Sequence, residues 1–78
     1  MKHHDLKIDQ RWFNRIIMRE KTAEIRLNDR DFQTGDTMRL KVEESGESAF
    51  CTITHVLTDV DGLHSDYAMI SFRLGAGR

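Results

Sequence analysis

Lys21, Glu24 and Arg26 stand within six residues of one another, in the run Arg19-Glu20-Lys21-Thr22-Ala23-Glu24-Ile25-Arg26. A lysine, a carboxylate and a guanidinium held this close suit two kinds of chemistry. They can line a polar cleft that binds an anionic or hydrogen-bonding ligand. They can also serve hydrolysis, with Lys21 as base, Thr22 or a water as nucleophile and Glu24 moving protons. A solvated row of ion pairs accounts for the same spacing with no site at all.

Elsewhere the chain offers less chemistry. His3, His4, His55 and His64 lack the paired spacing of a zinc site, so no metal is expected. The amino-terminal Met1-Lys2-His3 could wrap Cu(II) or Ni(II), a property common to chains with a third-position His. Neither phosphate-cradling glycine motif is present, and no cofactor is expected. Cys51, the single cysteine, lies in an alternating apolar segment and reads as a small core residue.

These residues need a scaffold, and 78 residues supply one domain with a modest core. His4, Leu6 and Ile8 alternate with Asp5 and Lys7 as a strand does. Asp9 is a helix cap, and the helix it starts runs from Gln10 to about Arg19. Its apolar side carries Trp12, Phe13, Ile16 and Ile17, with Trp12 and Phe13 as a plug for one end of a small barrel. Arg11, Arg15 and Arg19 repeat along another side. In the charged strand, residues 22–27, alternation assigns Ala23, Ile25 and Leu27 to the buried face and Thr22, Glu24 and Arg26 to the other.

A turn at Gln33-Thr34-Gly35-Asp36 leads to the clearest strand, where Met38, Leu40 and Val42 alternate with Thr37, Arg39, Lys41 and Glu43. Its hairpin partner runs from Ala49 to about Thr58, with Cys51, Ile53 and Leu57 on one face. The last strand, Tyr67 to Leu74, turns Ala68, Ile70, Phe72 and Leu74 inward, and residues 75–78 read as a frayed tail. The fold expected is mainly β: a small five-stranded curved barrel with one helix between its first two strands. No linker, repeat or low-complexity segment divides it.

Net charge is −1, but residues 1–30 hold eight Lys or Arg against five Asp or Glu, and residues 31–78 hold four against eight. A basic half of this size suits a phosphate-bearing ligand or short nucleic acid better than a long duplex. With no apolar run long enough to span a bilayer, no leader pattern and no disulfide, a cytoplasmic location and no membrane partner are expected.

The pattern Lys21-Thr22-Ala23-Glu24-Ile25-Arg26 resembles the G-x-K-x-x-E-x-R motif of the ASCH domain, a PUA-like β-barrel family named for activating signal cointegrator homology. Phe32-Gln33-Thr34-Gly35-Asp36 resembles its F-x-x-G-D turn. The opening His3-His4-Asp5-Leu6-Lys7-Ile8 and the stretch Asn28-Asp29-Arg30-Asp31-Phe32 look like a short bacterial and bacteriophage branch of unassigned function. The resemblance implies a PUA-like barrel whose charged cleft takes RNA or a modified nucleoside. Some ASCH proteins are amidohydrolases that deacetylate acetylated cytidine with a Lys, a Thr and a Glu, and others are linked to RNA cleavage. Lys21 matches that Lys, but the Thr three residues later is Glu24 here, and Arg19 stands where the motif has Gly. The reading adopted is a small RNA- or nucleotide-binding module with Lys21, Glu24, Arg26, Asn28, Arg30, Arg19 and Tyr67 as its binding set. The alternatives are a nucleoside amidohydrolase or ribonuclease using Lys21, Glu24 and Thr22, and a phage-type protein that binds and inhibits a host protein.

Overall fold

Alternating apolar residues build the sheet. In a computed structural model, which describes residues 1–75, five strands and one helix follow in the order β1 (His3–Lys7), α1 (Gln10–Ile17), β2 (Ala23–Leu27), β3 (Thr37–Lys41), β4 (Ser48–Leu57) and β5 (Tyr67–Leu74). They form one mixed sheet, β1-β3-β4-β5-β2, curled into a half-barrel with the short helix between its first two strands in sequence. Among the described residues only β1 and β3 pair in parallel; the other pairs are antiparallel. Period-2 alternation sends Leu6, Met38, Leu40, Cys51, Ile53, Ala68, Ile70 and Phe72 to the same buried side. The Cys51 thiol belongs to that core, and burial pushes its pKa up to about 11.

Asp9 caps the helix as expected, its carboxylate accepting from the Arg11 amide at 2.8 Å. Phe13 and Ile16 bury against the sheet. Two expected core residues do not join them. Trp12 is 37% exposed and Ile17 47% exposed, because an eight-residue helix covers the sheet along a narrow stripe. The Trp12 ring lies outside, with the Arg11 guanidinium 4.3 Å and Lys21 Nζ 5.5 Å from its centroid.

The helix ends two residues before the expected Arg19. The Arg19 amide donates to Ile16 and the Glu20 amide to Arg15, which closes the last turn by a Schellman pairing. That geometry needs a left-handed residue, and Arg19 supplies it at φ 63°. Arg19 therefore leaves the helical arginine row, while Arg11 and Arg15 face Asp9 and Glu20.

Two alternations run opposite to expectation. In β2, Ile25 and Leu27 are exposed, while the side chains of Glu24 and Arg26 are only 15% and 21% exposed. In β4, a bulge between Ile53 and His55 inserts Thr54, so Val56 packs against the core in place of Leu57. Residues 76–78 of the expected frayed tail lie outside the described residues. Gly75 is tied down by its amide donating to the Phe50 carbonyl and by the Thr52 hydroxyl donating to its own carbonyl.

Candidate functional site

The inversion of β2 follows from its place at the edge of the sheet. The curl brings β2 toward β1, the opposite edge strand, without backbone pairing between them. On β1, the carbonyls of Asp5 and Lys7 are two residues apart and point to the same edge. Donors reaching across the seam can pair these exposed carbonyls in place of water. Arg26 donates to Lys7 and Arg30 donates to Asp5 at 2.9 Å, so two guanidiniums tie the seam. With the charged side of β2 turned inward, Arg26 reaches the seam, and Ile25 and Leu27 are left outside.

Glu24 is the centre of the inward side. One of its oxygens lies 3.1 Å from Lys21 Nζ and the other 3.2 Å from the Arg26 guanidinium. Lys21 Nζ also donates to the Ala23 carbonyl at 2.6 Å. Lys21, Glu24 and Arg26 thus form one ion network, each side chain less than a quarter exposed. Partial burial makes such a network stronger than a surface pair and costly to break on one side.

Beside Lys21 opens a cavity of about 230 Å³ between the end of α1 and the end of β5. Ile16, Phe72 and Leu74 give it an apolar floor; Arg19, Lys21, Thr22 and Arg73 line its rim. It is smaller than the roughly 300–1,000 Å³ of ordinary ligand pockets, so it takes one planar ring at most, and Arg19, Arg73 and the Glu24-paired Lys21 favour an anionic tail.

Of the expected site residues, Arg19, Lys21 and Thr22 come together at this cavity. Glu24 and Arg26 stand behind Lys21 in the network, and Arg30 is at the seam. Asn28 is exposed, with its amide donating to the Asp66 carbonyl at 2.8 Å. Tyr67 pairs opposite Leu27 on the outer face, away from Glu24 and Arg26, with its ring edge-on to His64 at 5.6 Å. Phe72 and Arg73 were missed by sequence reasoning. Arg73 is the sole charged residue of β5, which was a usable signal.

The glycine-aspartate turn serves the fold. Asp36 is buried and accepts from His4 Nε2 at 2.9 Å, from the Lys2 amide at 3.1 Å and from the Gln33 amide at 3.0 Å. Burial pushes its carboxyl up, but these three hydrogen bonds and the His4 ring outweigh it, so its pKa lies below the ordinary 3.8. An ionised Asp36 can only accept, which places the shared proton on His4 Nε2. His4 also packs against Phe32, with ring centroids 4.7 Å apart. Gly35, at φ 95°, lets the chain turn into this pair.

A small mainly-β half-barrel with a charged seam between its edge strands is the class of domain that these features define. Residues 3–72 match the family described as Domain of unknown function (DUF3850), and the chain belongs to it. No curated protein matches the chain. None of the helices of the described residues is long and apolar enough to cross a membrane.

Proposed function

We propose that this protein is a small RNA- or nucleotide-binding module, with the cavity beside Lys21 as its binding site. The observation that carries the reading is the pairing of an apolar floor of Ile16, Phe72 and Leu74 with the cations Arg19, Lys21 and Arg73. A nucleobase fits the first and a phosphate the second. The likeness of the K-x-x-E-x-R and G-D patterns to the ASCH domain supports the same reading. A role for Lys21 as hydrolytic base is less well supported. Its ammonium donates to Glu24 and the Ala23 carbonyl, which leaves a third N–H for an anionic ligand, whereas the Lys21–Glu24–Arg26 network gives Thr22 no activating base.

Calorimetric titration with cytidine monophosphate and with single-stranded RNA tests the proposal. Binding that weakens with salt and is lost in Lys21→Ala supports it; no binding of either ligand rejects it. Deacetylation of acetylated cytidine that disappears in Lys21→Ala would promote the amidohydrolase reading instead. The outer face of β2 and β5 favours a second reading, a host protein as partner, because Ile25, Leu27 and Tyr67 are all exposed there. A host protein whose binding is lost in Leu27→Lys but kept in Lys21→Ala would support it.

A further inference from the structure

On the side of the sheet away from the core, strand register builds two rows that meet the Lys21 cavity only at Arg73. His3, Thr37, Thr52 and Arg73 are successive partners across β1, β3, β4 and β5. Asp5, Arg39 and Phe50 form the next row across β1, β3 and β4. Phe50 is 42% exposed on this face, an unusual place for a phenyl ring. The Arg39 guanidinium lies 4.9 Å from its centroid and the His3 ring 5.5 Å away at a tilt of 39°. A cavity beside this group is lined by Lys2, His3, Thr37, Thr52 and Arg73. Arg73 lines the Lys21 cavity as well, so the two spaces share a wall.

An exposed aromatic ring interleaved with guanidinium and imidazole is a surface on which bases stack while cations hold the phosphates between them. Charge favours that occupant. Lys2, Arg39 and Arg73 flank the path from the Lys21 cavity to Phe50, against two acids, Asp5 facing His3 at 3.2 Å and Asp31 facing Lys2 at 3.9 Å. Adjacent strands stand roughly 4.8 Å apart, so the row from Arg73 to His3 spans about 14 Å, longer than one nucleotide needs. A duplex has no exposed base faces to offer Phe50.

We propose that the outer face of β1, β3 and β4, centred on Phe50, is a second subsite that continues from the Lys21 cavity, so the ligand is a single-stranded polynucleotide. This rests on the Lys21 cavity being a nucleotide site, and the two claims separate in one experiment. Dissociation constants are measured for cytidine monophosphate and for oligocytidylates of two, four and eight residues, with an oligoglutamate of matched charge as competitor.

Wild-type affinity is expected to rise about tenfold or more from the monomer to the tetramer, the gain of one well-stacked base. Phe50→Ala should remove that gain and leave monomer affinity unchanged, and Phe50→Trp should restore it. Arg39→Gln gives a second reading of the same surface should Phe50→Ala fail to fold. Monomer binding lost in Lys21→Ala, with no gain from length in the wild type, overturns the second subsite and leaves the cavity standing. Absence of monomer binding overturns both. Competition by oligoglutamate equal to that of the tetramer overturns base stacking in favour of bare charge attraction.

Discussion

The guanidinium of Arg26 donates to the main-chain carbonyl of Lys7 and so joins two edge strands that share no backbone ladder. The same guanidinium holds Glu24 at 3.2 Å. The seam and the ion network behind Lys21 are therefore one structure.

Removing that link should loosen the fold as well as the site. Arg26→Ala leaves the Glu24 carboxylate with Lys21 alone and the Lys7 carbonyl without its donor, a loss of about 1–3 kcal/mol. Arg26→Lys should recover only part, since an ammonium lacks the planar fork that serves two acceptors. Urea unfolding midpoints check both. An unchanged midpoint in Arg26→Ala would show that the seam holds without the guanidinium.

Isoleucines on the two faces should behave differently. Ile53, 1% exposed, should cost about 2–5 kcal/mol on truncation to Ala. Ile25, 58% exposed, should cost less than about 1 kcal/mol, because most of its side chain is already in water. Thermal or urea denaturation of the pair decides it, and equal losses would contradict the inverted face of β2.

The left-handed residue at the helix end gives a variant that parts stability from binding. Arg19→Gly relieves a side chain held at φ 63° and should raise stability by roughly 0.5–1 kcal/mol, the relief being partly offset by greater freedom of the unfolded chain. It also removes a cation from the cavity rim, so nucleotide affinity should fall. A variant that is both less stable and fully binding would contradict both halves.

Acid should act through Asp36. Its carboxyl pKa is lower in the folded protein than in the unfolded chain, so its stabilising contribution is complete above the ordinary carboxylate range and is lost as pH falls through the folded value. Stability plotted against pH should therefore fall less steeply below about pH 4 in Asp36→Asn than in the wild type. Parallel curves would mean that the pair with His4 contributes nothing to acid sensitivity.

Much of this architecture was legible in the residues. Alternation of His4, Leu6 and Ile8, the Asp9 cap and the Met38–Leu40–Val42 strand all appear where local patterning places them. Local patterning failed where a distant partner decides. In β2 both faces alternate cleanly, and which one turns inward depends on the carbonyls of β1, some twenty residues away. The bulge at Thr54 carries no glycine or proline to mark it. Trp12 reads as core by type, yet a helix of eight residues lacks the breadth to bury it. For the candidate site, Lys21 and its ion partners could be read from spacing alone. Phe72 and Arg73 could not be read from spacing, because β5 comes beside Lys21 only through its antiparallel ladder with β2, a strand far from it in the chain.

Amide chemical-shift mapping on titration with cytidine monophosphate tests the central claim most directly, since it locates the ligand as well as detecting it. The account predicts saturable shifts concentrated at Arg19, Lys21, Thr22, Phe72 and Arg73, and their disappearance in Lys21→Ala. Shifts confined to the outer face around Ile25, Leu27 and Tyr67, or no shifts at all, would contradict it.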